Sequence, residues 1–291
     1  MEKKATSHDQ TAGSEETQQY LDGAICIAVA AHKPYRMPTD SVYLPLHVGR
    51  ELHPENADVM GGDFIGDNTG ANISSLNAQY SELTGLYWLW KNCNAQYKGL
   101  VHYRRHFETA DIYRKHAKDR FDRIATGDDF RTMLRKAPVI VPTARNYIIE
   151  SVGSHYEHTM EGASEQIAVV QEVIADKFPE YSDGLRKQLK RTHAHMFNML
   201  VMRCDLLEDY CSWIFPLLEE VSQRVDQTQY DAFEARYPGR VSEWLLDVWI
   251  ETNNIPYVEM PTTSPEPVNW ARKGSAFLAA KFMGRKYEGS F

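Results

Sequence analysis

The chain has 291 residues and a mass of 33.4 kDa, enough for one large domain with a sizeable core. Apolar residues make up 43% and charged residues 25%, a balance that excludes a largely disordered chain, a collagen-like repeat and a disulfide scaffold. With 32 Lys and Arg against 40 Asp and Glu the formal charge is −8, so the general basic surface that displaces counterions from nucleic acid is lacking, and no nucleic-acid partner is expected. A local basic patch remains compatible with that average.

Residues 1–22 are polar and contain no apolar run, so composition predicts a disordered lead-in rather than a signal peptide. No later run is long enough to cross a bilayer, and none of the four cysteines forms a CxxC pair; the expected compartment is the cytoplasm. Residues 24–30 are continuously apolar and β-branched, which predicts a strand buried on both faces, stopped at Pro34. A second short strand is expected over 43–49, then a loop over 61–70. A helix over 78–92 follows, with Tyr80, Leu83, Tyr87, Trp88 and Lys91 at three- and four-residue steps. Further strands are expected over 97–103, 139–141 and 196–202. Helices are expected over 128–136, 155–175, 181–192, 206–225 and 241–252. Residues 256–267 read as extended and proline-rich, and the rest as a basic, aromatic tail. Alternation of strand and helix predicts an α/β fold with a mostly parallel sheet.

Several familiar signatures are missing. There is no GxGxxG, GxxxxGK[ST] or GxSxG, which leaves the dinucleotide fingerprint, the P-loop and the hydrolase elbow unsupported. His102 and His106 flank a strand end, where helical ligand spacing does not apply, and His193 and His195 would share one face of a strand; no carboxylate pair completes a metal site with either. The unusual feature is a buried strand ending in His102-Tyr103-Arg104-Arg105-His106. In an open α/β sheet that end is where ligands bind. Arginine there suits a diphosphate, because its planar fork pairs with phosphate oxygens; adjacent side chains diverge, so one arginine is expected at the ligand and the other as a brace. The alternative is a solvated surface pair. Asp67, Asn68 and Asn72 offer groups that suit sugar hydroxyls, or else an Asx-rich turn capping the next helix. Glu82 and Glu243 are acids that chemistry alone does not rank, and Glu243 reads equally as a carboxylate at a helix start.

Several blocks carry a resemblance to a known family. They are His32-Lys33-Pro34-Tyr35, Gly66-Asp67-Asn68-Thr69-Gly70-Ala71-Asn72-Ile73-Ser74, Asn77 with Glu82-Leu83-Thr84, Tyr87-Trp88 with Lys91-Asn92, Gly99 through Arg105, Phe197-Asn198-Met199, and Gly239-Arg240 with Glu243. The chain resembles the DUF4422 family of bacterial capsule, exopolysaccharide and O-antigen gene clusters over roughly 24–258. The resemblance implies a single GT-A-like domain over 23–258, with a mixed, mostly parallel sheet and a helical C-terminal part, followed by an extended segment and tail over 259–291. It implies transfer of a hexosyl group, galactosyl or galactofuranosyl, from a UDP-sugar to a polysaccharide or lipid-linked acceptor. Many GT-A enzymes carry an Asp-x-Asp at the end of a central strand; this chain has none, and His-Tyr-Arg-Arg stands in its place, which implies metal-independent transfer without a cofactor. On the same footing His32, Lys33, Tyr35, His102, Arg104 and Arg105 are expected at the nucleotide, with Tyr35 stacking on uracil. Asp67, Asn68, Asn72, Asn77 and Glu82 are expected at the donor sugar, and Glu243, alternatively Asp67, as the catalytic base. The family usually has an acid where Ala71 stands and often Lys where Leu76 stands, which implies an altered donor pocket. The competing reading is a non-catalytic sugar-binding or scaffold subunit. Residues 270–291 hold five Lys and Arg against one acid, interleaved with aromatics, a composition that suits either a C-terminal helix packing its aromatics on the domain or peripheral contact with an anionic membrane.

Overall fold

The computed structural model describes residues 24–266 apart from Gly62 and Gln229; the lead-in over 1–22 and most of the tail lie outside the described residues. In chain order the strands are β1 (Ile25–Ala31), β2 (Tyr43–His47), β3 (Ile65–Gly66), β4 (Tyr97–His102), β5 (His106–Phe107), β6 (Val139–Pro142), β7 (Arg145–Asn146), β8 (His193–Ala194), β9 (Leu200–Arg203), β10 (Tyr257–Met260) and β11 (Thr262–Thr263). The α-helices are α1 (Ala57–Met60), α2 (Asn77–Tyr80), α3 (Leu83–Asn92), α4 (Ile112–Lys115), α5 (Gly127–Leu134), α6 (Val152–Thr159), α7 (Ala163–Lys177), α8 (Ser182–Lys190), α9 (Cys204–Arg224) and α10 (Tyr237–Thr252).

Seven strands form one mixed sheet in the order β10-β6-β9-β4-β1-β2-β3. Strand β1 is parallel to β2 and β4, β2 to β3, and β6 to β10, whereas β9 is antiparallel to both β4 and β6. The fold is α/β and GT-A-like, as the alternating pattern and the resemblance imply. Strand β1 shows why its run is continuously apolar. Cys26, Ala28 and Ala30 enter one core with α3 and the long helices α7, α9 and α10, while Ile25, Ile27 and Val29 enter a second core with α5 on the opposite face.

Four elements differ from the sequence reading. The helix expected over 78–92 is broken between α2 and α3, where Ser81 takes φ 50°. The helix expected over 155–175 is two helices, parted at Gly162 with φ 72°, a conformation glycine adopts without a Cβ clash. The strand expected over 196–202 starts only at Leu200, because Phe197 and Asn198 both take positive φ. The loop over 61–70 contributes β3, a short edge strand.

Candidate functional site

The parallel strands β1, β2 and β4 end at one pole of the sheet, and the site residues gather there. Backbone bonds from His102 N to Arg105 O (3.1 Å) and Arg105 N to His102 O (3.0 Å) fold the HYRR run into a tight reversal leading into β5. Tyr103 and Arg104 occupy its tip, so the two arginines diverge as adjacent side chains should, but each reaches a different cluster.

Arg104, exposed, donates from Nε to Tyr103 Oη at 2.6 Å. Around the same ring stand His32, edge-on at 5.2 Å between centroids, and Lys33 Nζ, 5.0 Å from the ring centre. Burial first, then the charges of Arg104, Lys33 and Arg236, hold the His32 pKa below its ordinary value. The imidazole is thus neutral at pH 7 in a field of fixed positive charge, an environment that favours a polyanion. Lys33 also pairs with Glu266 at 3.6 Å, so the segment after β11 folds back over this end of β1.

Arg105 turns the other way, with its guanidinium carbon 3.5 Å from the centre of the Phe197 ring. The strained Phe197-Asn198 step aims Asn198 inward. Asn198 Nδ2 donates to Glu82 Oε1 (2.6 Å) and to Gly239 O (2.8 Å), and its Oδ1 accepts from Ser242 Oγ (2.8 Å). These bonds tie the start of α3, the loop before β9 and the first turns of α10 together. His102 Nε2 lies 3.7 Å from Glu82 Oε1. Burial lowers the His102 pKa, against the opposing pull of Glu82. Gly239 permits this junction because a Cβ there would meet Tyr80 O at 3.2 Å.

Glu243 lies in the second turn of α10 rather than at its start, since the helix opens at Tyr237, four residues before the expected boundary, with Pro238 in its first turn. Burial, reinforced by the nearby Glu82 carboxylate, pushes its pKa to about 8, while Arg240, Arg105 and Arg145 pull it down. The result is a carboxyl group that titrates near neutrality within the electrostatic reach of three guanidinium groups, the tuning expected of a general base or acid.

Other expected site residues take structural positions. Asp67 is fully buried and accepts four hydrogen bonds, from Gly49 N (2.8 Å), Arg50 N (3.1 Å), Ser74 Oγ (2.5 Å) and Thr84 Oγ1 (2.7 Å). With its lone pairs committed, it can serve neither as base nor as sugar ligand. Asn72 accepts from Ser74 N (3.1 Å) and donates to Gly70 O (3.0 Å), the Asx-turn alternative, and Asn77 donates to Ser81 O (2.7 Å) and Thr84 Oγ1 (3.0 Å), bracing the helix break. Asn68 is exposed. Tyr35 donates or accepts through its hydroxyl with His106 Nε2 at 2.9 Å and packs near His106, Phe121 and Tyr103. Its ring is committed to protein neighbours, which counts against stacking on uracil. Ala71 is bonded through its backbone to Asn92, at the far end of α3 and about 15 Å of helix from Glu82, so its departure does not alter a pocket beside Glu82.

Sequence reasoning gave no role to Asn198 and Arg240, although both fall in resemblance blocks, and it found no signal at all for Arg145 and Arg236. It also missed a second charged cluster. His195 Nδ1 bonds Asp247 Oδ1, Asp247 Oδ2 accepts from His195 N (3.0 Å) and Gln188 Nε2 (2.9 Å), and His195 Nε2 meets Glu259 Oε1 at 3.1 Å. His193 and His195 do not share an exposed face: β8 ends at Ala194 and His195 turns inward. Among the described residues no group of three His, Cys, Asp or Glu stands close enough to hold a metal ion.

The architecture is that of a GT-A-like α/β protein with its polar site at the C-terminal edge of the sheet. The chain belongs to the family described as "Domain of unknown function (DUF4422)", whose profile matches residues 26–254. It is similar to a solved structure of the WbbM bifunctional glycosyltransferase in its apo state, with a TM-score of 0.72 and 25% identity over 83% of this chain. This chain spans 45% of that longer protein. The comparison with curated proteins gives no significant match.

Proposed function

We propose that this protein is a glycosyltransferase that moves a hexosyl group, galactosyl or galactofuranosyl, from a UDP-sugar to a polysaccharide or lipid-linked acceptor. The observation that carries this reading is Glu243, whose carboxyl titrates near neutrality under the opposing influence of burial, Glu82 and the charges of Arg240, Arg105 and Arg145, in a fold shared with a glycosyltransferase. Arg104 with Lys33 and His32 on one side, and Arg105 on the other, bracket the place for the donor diphosphate. Deprotonated Glu243 takes the proton of the acceptor hydroxyl as its oxygen attacks the anomeric carbon. The bond from that carbon to the diphosphate oxygen breaks, and UDP departs with the electron pair against the guanidinium charge. Fixed arginine charge then does the work that a divalent metal would otherwise do, so no metal is required. With Asp67, Asn72 and Asn77 committed to structural bonds, Glu82, held by Asn198, is the donor-sugar group beside Glu243.

Calorimetric titration with UDP and UDP-galactose tests the reading, followed by a product assay over a panel of UDP-sugars. Absence of binding to either compound at millimolar concentration would sink it. Binding without turnover, hydrolysis included, would favour the sugar-binding or scaffold alternative, whose motivating features are Ala71 and Leu76, the first of them away from Glu82.

A further inference from the structure

Among the described residues the four most exposed large apolar side chains are Tyr113 (90%), Ile149 (87%), Ile148 (80%) and Ile112 (72%). They form two adjacent pairs on two separate loops, and both loops lie at the pole that carries Glu243. The first follows β5, which pairs with β11 just past the C-terminal end of β10; the second follows β6 and β7. Tyr147, immediately before the second pair, shares the electrostatic environment of Glu243 and Arg145.

Both pairs are held in place. Asp111 accepts from Tyr113 N (2.8 Å) and Arg114 N (2.9 Å), fixing Ile112 and Tyr113 in the opening turn of α4. In the second loop Asn146 Oδ1 accepts from Ile148 N (2.8 Å) and Tyr147 O accepts from Ile149 N (2.8 Å). Ile148 takes φ 65°, a strained conformation for a β-branched residue that Asn or Gly would adopt with far less cost. The backbone there is strained to present two isoleucines to water.

Charge identifies the partner. The chain as a whole is acidic, yet residues 112–123 carry five Lys and Arg against two Asp, with Lys115 and Lys118 close behind the first apolar pair. Arg145 flanks the second pair, and exposed Lys33 and Arg104 belong to the same pole. Exposed apolar side chains on two segments of one pole, backed by cations, suit the headgroup zone of an anionic bilayer, where apolar side chains dip in and tyrosine sits at the boundary.

We infer that this pole docks on an anionic membrane surface through Ile112–Tyr113 and Ile148–Ile149, with Lys115, Lys118 and Arg145 meeting the headgroups. The surface is distinct from residues 270–291. The inference goes beyond the transferase reading, and its test uses no substrate, so either can fail alone.

The test is co-sedimentation of the full chain with vesicles rich in phosphatidylglycerol and, separately, with phosphatidylcholine vesicles. The parent is expected to bind the anionic vesicles only. The double variants Ile148→Asn with Ile149→Ser, and Ile112→Ser with Tyr113→Ser, should each lower the bound fraction by about tenfold. The melting temperature of the first variant should hold or rise, because Asn relieves the strain at φ 65°, so lost binding is not lost folding. No binding by the parent, or double variants that both bind like the parent, overturns the inference. Equal binding to both vesicle types overturns the anionic assignment.

Discussion

At the residue scale the sharpest claim concerns Glu243, whose pKa stands at about 8 through burial and the neighbouring Glu82. A base must be deprotonated to act, so kcat/KM should rise with pH and level off above about 8. Glu243→Gln should abolish transfer while leaving UDP affinity intact; a variant with normal turnover removes Glu243 from the mechanism. The same shift has a stability consequence. Between its ordinary pKa of 4.5 and about 8 the folded chain binds more protons than the unfolded one, so Glu243 costs stability as pH rises through that window. Above pH 8 the Gln variant should therefore unfold at higher denaturant than the parent, by roughly 1–3 kcal/mol. Arg104→Ala and Arg105→Ala should each weaken UDP binding about tenfold to a hundredfold, as loss of a charge-assisted phosphate contact does, with little change in melting temperature. Asp67→Asn should do the reverse, because its amide NH2 would face two of the four donors whichever oxygen it replaced; a loss of about 2–4 kcal/mol in stability is expected, with unchanged UDP affinity in the folded protein. That contrast explains what was legible. The HYRR run stood out because paired arginines at the end of a buried strand are unusual, and the structure places both at the turn that closes that strand. Asp67 did not, because a carboxylate that ligates sugar and one that collects backbone donors look alike until burial is known.

At the scale of elements, the site depends on breaks that periodicity hides. Apolar spacing runs unbroken across Ser81, yet the helix is interrupted there, and Glu82 at the interruption bonds Asn198. The strand over 196–202 likewise reads as continuous, while Phe197 and Asn198 leave the extended region to build the network around Gly239 and Ser242. Local pattern reports burial, and these residues are partly or fully buried either way; what it does not carry is the sign of φ. The His195 cluster is a second long-range device, joining β8, α10 and the edge strand β10 through residues far apart in sequence. Burial lowers the His195 pKa, but the hydrogen bonds and charges of Asp247 and Glu259 outweigh it, and the net shift is upward. A raised histidine contributes its stability below the unfolded pKa of about 6.5 and loses it as pH climbs through the folded value. His195→Ala should therefore cost about 3 kcal/mol near pH 6, leaving Asp247 buried without its counter-charge. The deficit should narrow at alkaline pH. A deficit independent of pH across that range would show that the cluster acts by packing alone.

For the molecule as a whole, the two-sided sheet was the most legible feature, since runs such as residues 24–30 are apolar at every position only when both faces are covered. The distribution of charge was not legible from a net value of −8. The described structure gathers Lys33, Arg104, Arg105, Arg145, Arg236 and Arg240 toward one pole, so an acidic body carries a basic mouth, as the electrostatic surroundings of His32 and Glu243 record. On the proposed function such a field steers the nucleotide diphosphate toward the site, and salt screens it over about 10 Å at 0.1 M. UDP affinity should accordingly fall as salt rises, more steeply for the parent than for Arg104→Ala or Arg105→Ala. On the proposed mechanism these guanidinium groups stand in place before the donor arrives and meet the charge of the leaving diphosphate, so transfer should persist in EDTA at an undiminished rate. Abolition by EDTA with rescue by Mn²⁺ would show instead that the arginines only position the donor and that a divalent ion, brought in with the nucleotide, carries the charge of the transition state.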